Sequence, residues 1–314
     1  MSKISYRHCA ARAGGASRLS VLMPAYNAEK YIAAAIESIL SQTFTDFEFI
    51  IINDGSTDNT AKIIQEYANR DTRIKFIDNK QNQGLIAVLN QGLDLCQGEY
   101  IARMDSDDIA LPERFARQVK YMDDNPNVAA VGTWAHAFGD RNQEMKYPRT
   151  VRLLDLLAYG SLVAHPTVML RTSVLRENNI YYNPIYQHAE DFGLWATLLQ
   201  YGEIHNIQEV LLKYRWHNAN ISVVHHKKQM ESTELVRTNI LNPLLSNQSD
   251  TRKILDMTRE LNQCFRLFGV IPLMRRKQYS ITKTKYYLFW KLPLLRIQNN
   301  KIYLFDFIKI GNMK

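Results

Sequence analysis

The chain has 314 residues, of which 46% are hydrophobic and 22% charged, with a formal net charge of +8 at pH 7. That is enough for one large core with an extension, and no stretch reaches the roughly 18 apolar residues of a membrane-spanning helix. Three cysteines, Cys9, Cys96 and Cys264, show no metal-ligand spacing, and their odd number fits a reducing compartment.

Residues 1–18 are small and basic, without an apolar core of signal-peptide length, and read as a disordered leader. Leu19 to Met23 is a short apolar run that ends in Pro24-Ala25-Tyr26-Asn27. From Glu29 to Leu40 the apolar residues Tyr31, Ile32, Ala35, Ile36, Ile39 and Leu40 fall at helical spacing. Phe47 to Ile52 is too apolar for a half-exposed strand and predicts a buried parallel one. It ends in Asn53-Asp54-Gly55-Ser56-Thr57-Asp58, and a helical pattern follows through Ile63, Ile64 and Tyr67. Arg73 to Ile77 predicts a third strand, Leu85 to Leu95 a third helix and Glu99 to Met104 a fourth strand. Alternating strand and helix argue for an α/β fold: a Rossmann-like, mostly parallel sheet flanked by helices. Ligands bind such sheets outside the carboxyl ends of the strands, so the polar clusters at 24–27, 54–58 and 105–108 should share one crevice.

The last cluster, Asp105-Ser106-Asp107-Asp108, places three carboxylates within four residues. Carboxylates that close stay ionised together only with positive charge among them, and their hard oxygens suit Mg²⁺ or Mn²⁺. Such a cation is usually shared with substrate phosphates, which points to a diphosphate ligand. An acidic loop that caps the next helix before Pro112 is the structural alternative. An EF-hand is excluded, because Ala110 stands where its turn needs glycine. A nicotinamide-binding sheet is excluded too, since Pro24-Ala25-Tyr26-Asn27 replaces the glycine-rich phosphate turn.

In its motifs the chain resembles a family 2 glycosyltransferase of the GT-A fold. The matching pieces are Pro24-Ala25-Tyr26-Asn27, Asn53 to Asp58, Asn82-Gln83-Gly84, Asn90-Gln91-Gly92, Gly98 to Ile101, Asp105 to Asp108, His165-Pro166-Thr167, Glu190-Asp191 with Leu194-Trp195, and Tyr214-Arg215-Trp216-His217. They span residues 19–222 in the family's order. The resemblance implies a catalytic domain over 19–224, with a nucleotide-binding half (19–108) and an acceptor half (109–224). It implies that Asp54 contacts the nucleotide base, with Pro24, Ala25, Tyr26 and Asn27 around it and Gly84, Arg103, Asp105 and Ser106 completing the nucleotide site. Asp105 and Asp107 would hold Mn²⁺ or Mg²⁺, with His217 as a further ligand and Ser222 a few residues on. Asp191, beside Glu190, would be the base that takes the acceptor proton. Trp134, His165 and Trp195 would line the acceptor and sugar side. Each role has a structural alternative: a turn and N-cap at Asp54-Gly55-Ser56, two acids placed by the helix dipole at Glu190-Asp191, a satisfied structural histidine at His165.

The implied reaction is metal-dependent, inverting transfer from a nucleotide-sugar donor, a UDP-sugar by the carboxylate at Asp54, to a glycan or lipid-linked acceptor. The alternative is a nucleotide-sugar-binding or assembly protein without catalysis. Charge adds one more expectation. Residues 1–224 hold 22 Lys and Arg against 25 Asp and Glu, whereas residues 225–314 hold 17 against 6. From Gln278 on, Lys and Arg interleave with Tyr, Phe and Trp. The segment 225–314 therefore reads as a basic, aromatic-rich helical extension, suited to an anionic membrane surface or packed on the catalytic domain. No nucleic-acid motif accompanies it. The expected location is cytoplasmic, peripheral at the inner face of the cell membrane.

Overall fold

The computed structural model describes residues 17–217, 225–241, 274–280, 283–288, 292–298, 301–304 and 308–312. The expected leader (but for residues 17 and 18), Ser222, Cys9 and Cys264 lie outside them.

The first half follows the alternation in the sequence. Strand β1 (Leu19–Ala25) leads to helix α1 (Ile32–Leu40), β2 (Phe47–Asp54) to α2 (Thr60–Ala68), β3 (Ile74–Asn79) to α3 (Leu85–Leu95), and β4 (Tyr100–Arg103) ends before the acid cluster. Every residue of β1, β2 and β4 is buried, as strands covered on both faces must be. Ile50, Ile51 and Ile52 are fully enclosed, each worth roughly 1.5–3 kcal/mol of apolar burial. Helix α1 buries Ile32, Ala35, Ile36 and Ile39, the stripe its periodicity predicts. It starts three residues later than the pattern, because Ala28 turns the chain by accepting the N–H of Tyr31 and Ile32.

Strands β2, β3 and β4 join β1 in parallel, in the order β3-β2-β1-β4. The second half departs from the expected mostly parallel pattern. After the two-residue β5 (Ile109–Ala110) and α4 (Arg114–Asp124) come β6 (Val128–Gly139), β7 (Gln143–Met145), β8 (Thr150–Val151), α5 (Leu153–Tyr159), β9 (Met169–Arg171), α6 (Thr172–Glu177), α7 (Glu190–Leu198) and β10 (Glu203–Trp216). Short β9 lies antiparallel between β4 and β6, and β10 runs parallel to β6. The ten-stranded sheet is therefore mixed. At its edge β5 pairs antiparallel with Leu212 and Lys213 of β10. That pairing carries the end of β10, Tyr214 to Trp216, to the loop that holds the acids.

The chain divides into two compact units, one reaching residue 156 and resuming over 161–232, the other comprising 157–160 and 233–314. The extension is helical over α8 (His226–Leu241), but the expectation of a helical C-terminus is corrected beyond it. Strands β11 (Met274–Ser280), β12 (Lys283–Leu288), β13 (Leu292–Gln298), β14 (Lys301–Leu304) and β15 (Ile308–Asn312) form an antiparallel meander. The physical reason is visible in Lys283-Thr284-Lys285-Tyr286 and Lys301-Ile302-Tyr303-Leu304, which alternate with period two and carry β-favouring residues. No described helix is long and apolar enough to cross a membrane.

Candidate active site

Two loops at the carboxyl ends of β1 and β2 are fastened to each other. Asn27 donates its N–H to Ser56 Oγ at 2.9 Å, and its side-chain oxygen accepts the Thr57 N–H at 2.9 Å. The Ala28 N–H reaches Thr60 Oγ1 at 2.7 Å, and the Glu29 N–H reaches Asp58 at 3.1 Å. Asn27 therefore works as a latch, its left-handed backbone (φ 47°) tolerated by an Asx side chain. Tyr26 is half exposed, while Pro24 and Ala25 before it are buried.

Asp54 is 4% exposed and holds a third loop: Oδ1 accepts the Gln83 N–H at 2.8 Å and Oδ2 the Gly84 N–H at 3.0 Å. Gly84 takes φ 88° as it enters α3. Gly55 also lies at positive φ, and a Cβ there would fall 2.6 Å from the Gln81 carbonyl carbon, so glycine is what lets the loops close together. The sequence points to Asp54 as a base reader; the structure adds that it organises the 83–84 loop. Each carboxylate oxygen accepts more than one hydrogen bond, so the two uses are compatible.

The acid loop follows β4. Met104 is tied back to β1 by its N–H to Leu22 O at 3.0 Å. Asp105, Asp107 and Asp108 then place carboxylate oxygens within 4.8 Å of one another. Helix α4 has Glu113 as its N-cap residue, without a side-chain cap, so these acids do not cap it. Instead Asp108, fully buried, accepts the Arg215 N–H at 2.7 Å, and Arg215 Nε donates to Asp107 O at 2.8 Å. The Arg215 guanidinium lies over the rings of Tyr31 and Phe138 at 4.2 and 4.4 Å. His217 Nε2 stands 3.2 Å from Asp107 Oδ2, with its ring stacked on Tyr31. Burial and the Asp105 charge push the Asp107 carboxyl up, with His217 opposing. Burial and the charges of Asp105 and Asp107 push Asp108 well up. Asp108 Oδ2 is buried without a hydrogen-bond partner among the described residues. Crowded hard oxygens, one of them orphaned, fit a divalent cation.

Behind this loop Arg103, 4% exposed, pairs with Asp105. Its charge reaches His165, Tyr182, Glu190 and Asp191, which brings the second half of the site to the first. Glu190 and Asp191 occupy the first turn of α7. Asp191 accepts the Phe192 N–H at 2.7 Å and lies 3.4 Å from Ser161 Oγ. Burial and the Asp191 charge push the Glu190 carboxyl up to about 7. Burial also raises Asp191, against hydrogen bonding from Phe192 and the Arg103 charge. His165 opens a 3₁₀ turn (His165–Thr167), and its Nε2 meets Tyr182 Oη at 2.8 Å. Burial and Arg103 hold its imidazole well below the usual range, so it is neutral at pH 7.

One expectation for the acceptor side changes. Trp195 is fully enclosed and packs edge-on to His165, so it supports the site from the core and does not line it. Trp134 is half-buried and spends its indole N–H on Tyr147 O at 2.9 Å. The sequence also passed over Tyr182, and gave Asn90 only as part of a motif without a role. Asn90 exchanges two 2.9 Å hydrogen bonds with the Tyr182 backbone, pinning that loop to α3. Arg114, fully buried, donates to Arg103 O at 2.7 Å and fixes the strand end. An arginine in an amphipathic helix gives no sequence signal for that.

Several known proteins are similar to this chain. An uncharacterized glycosyltransferase of Haemophilus influenzae is 30% identical over 94% of this chain and 98% of its own. The O-antigen biosynthesis glycosyltransferase WbnJ of Escherichia coli is 36% identical over 64% of this chain and 81% of its own. Among solved structures, S. aureus TarS 1–349 in complex with UDP-GlcNAc matches with a TM-score of 0.63 and 25% identity, over 80% of this chain and 74% of that one. The mannosyltransferase PcManGT of Pyrobaculum calidifontis, in complex with GDP-Man and Mn²⁺, shares the fold at 15% identity and a TM-score of 0.56, over 82% of this chain and 78% of that one. Residues 20–190 match the family model "Glycosyl transferase family 2". The chain belongs to glycosyl transferase family 2 and is a glycosyltransferase of the GT-A fold.

Proposed function

We propose that this glycosyltransferase moves a sugar from a UDP-sugar to a hydroxyl of a glycan or lipid-linked acceptor, with inversion, in a single displacement. The observation that carries the reading is the acid loop and the Glu190-Asp191 pair gathered around Arg103 at the carboxyl ends of the strands. Asp191 takes the acceptor proton as the acceptor oxygen bonds to the anomeric carbon and the bond to the diphosphate breaks. Its Oδ2, which carries only a long 3.4 Å contact from Ser161 Oγ, is the oxygen that would take the proton, and its raised proton affinity suits a base. Asp105 and Asp107, with Asp108 or His217, would hold Mg²⁺ or Mn²⁺. When bound, that ion supplies positive charge to the departing diphosphate. His165 and Tyr182 shape the sugar side as neutral hydrogen-bonding groups. The uridine assignment rests on Asp54 and on the UDP and UDP-GlcNAc complexes of the TarS neighbour.

A thermal-shift screen of nucleotide sugars with Mn²⁺ tests the donor class. A ligand at a hundred times its dissociation constant raises stability by about 2.7 kcal/mol. A response to GDP- or CMP-sugars without one to UDP-sugars would refute the uridine assignment. Asp54→Ala should weaken UDP binding at least tenfold, through lost base contact and a loosened 83–84 loop; unchanged UDP affinity by calorimetry would remove Asp54 from the nucleotide site.

The extension is assigned to an anionic membrane surface at the inner face of the membrane, where a lipid-linked acceptor would be met. Residues 261–314 carry eleven Lys and Arg and one Asp. The strand register sets Lys277, Lys285, Arg296, Tyr303 and Lys309 side by side across the meander. Each basic residue at an anionic surface contributes on the order of 1 kcal/mol. Removing residues from about 270 onward should abolish pelleting with anionic vesicles while UDP binding persists. A truncated protein that still pellets overturns the assignment.

A further inference from the structure

Arg103 is a buried cation with unfinished hydrogen bonding. Nη2 pairs with Asp105 Oδ1, but Nε and Nη1 are buried and meet no acceptor among the described residues. Buried donors are almost always satisfied, and an orphan on a charged group is costlier than on a neutral one. Two on one side chain, at the strand end that opens on the active site, call for acceptors from a ligand. Asp105 is the exposed member of the pair, 28% against 5%, so it screens the guanidinium from the crevice. A ligand or cation that draws Asp105 outward uncovers Arg103 behind it.

The surroundings decide which chemistry fits. Arg103 acts on Asp105 at one end and on Tyr182, Glu190 and Asp191 at the other. With Asp108, which also acts on Arg103, four carboxylates thus share one guanidinium. A ligand carboxylate would satisfy Arg103 but be repelled by those acids. A bare or deoxygenated carbon would leave the N–H groups orphaned. A hydroxyl accepts from the guanidinium with its lone pairs and donates its own proton to a carboxylate. The position, between the acid loop and the proposed base, is where the donor's transferred sugar would lie if the UDP-sugar reading holds.

We propose that Arg103 is a specificity-determining residue whose Nε and Nη1 groups read hydroxyls of the transferred sugar, so that the enzyme takes a neutral, hydroxyl-bearing pyranose and rejects uronic and deoxy analogues. This rests on the nucleotide-sugar reading and adds the sugar class to it. Lysine cannot replace the residue, because a single ammonium does not present the two fixed, coplanar N–H groups of a guanidinium.

The test compares UDP with UDP-glucose, UDP-galactose, their N-acetyl derivatives, UDP-glucuronic acid and deoxy-sugar analogues, by calorimetry with Mn²⁺. In the wild type the preferred neutral sugar nucleotide should exceed its deoxy and uronic counterparts by about 10- to 100-fold. Arg103→Met and Arg103→Lys should erase that margin, weakening UDP-sugars more than UDP itself, and unchanged circular dichroism identifies folded variants. If Arg103→Met misfolds, Arg103→Lys alone carries the comparison. Equal loss for UDP and UDP-sugars overturns the proposal and assigns Arg103 to the diphosphate. Retained discrimination in either variant also overturns it. A wild type that binds UDP yet prefers a uronic or deoxy sugar refutes this inference alone, whereas one that binds no uridine nucleotide refutes the donor reading beneath it.

Discussion

Asp191→Asn should lower the transfer rate by roughly 10²–10⁴-fold while UDP and Mn²⁺ bind almost as before. Asparagine keeps the size of the side chain and can still accept the Phe192 N–H, so the first turn of α7 is preserved. What it loses is the ability to take a proton. The neighbouring carboxyl gives the discriminating arm. Glu190 is 7% exposed and held up to about 7 by burial and by the Asp191 charge, so the two acids titrate as a pair. A base must be ionised, and Asp191 is the acid whose charge raises Glu190, so activity should rise with pH through the pair's lower apparent pKa. Glu190→Gln imitates the protonated neighbour and should leave that acid limb nearly in place, with transfer retained. The opposite pattern, with Asp191→Asn active and Glu190→Gln inert, would make Glu190 the base. Pre-steady-state transfer rates over pH 5–9 separate the two.

How much of this site the sequence displays depends on whether a residue acts through its type or through its neighbours. The parallel half of the sheet is legible because its strands are buried on both faces and read as apolar runs, Phe47 to Ile52 above all. The acid loop is legible because three carboxylates in four residues have few structural uses. The second half is less so. Strand β9 is three residues long, and its antiparallel place between β4 and β6 is a tertiary outcome with no local signature. Asn27 and Asp54 belong to motifs that mark a nucleotide site, yet their visible bonds hold loops together. Trp195 follows the Glu-Asp pair and suggests a ligand-facing ring, but position six of α7 turns it into the core. Arg103 shows the reverse: the resemblance places it at the nucleotide site, and only burial with two orphaned nitrogens shows what more it could bind. In the extension, alternation of basic and apolar residues competes with composition, and the alternation decides for strands.

Asp107→Ala should fail in a different way from Asp191→Asn, with donor binding and turnover lost together. Asp107 sits at the mouth of the acid loop between Asp105 and His217 and offers an oxygen to the cation the cluster fits. Removing it weakens the positive charge that the departing diphosphate requires, worth several kcal/mol, which corresponds to on the order of 10³-fold in rate. Metal-dependent UDP-sugar affinity should fall as well, and raised Mn²⁺ should recover part of both losses, since the remaining carboxylates still attract the ion. No Mn²⁺ concentration should rescue Asp191→Asn. The metal-free protein should meanwhile keep or gain stability. Burial and the Asp105 charge hold the Asp107 carboxyl above its ordinary range, so its ionised form is a strained one in the folded state. That penalty is absent below the unfolded pKa and grows as pH rises through the folded one, so the gain in melting temperature should be larger at pH 8 than at pH 4. A variant that melts lower at pH 8 and binds UDP-sugar normally with Mn²⁺ would show that Asp107 is a structural partner of His217 and that the cation is held elsewhere.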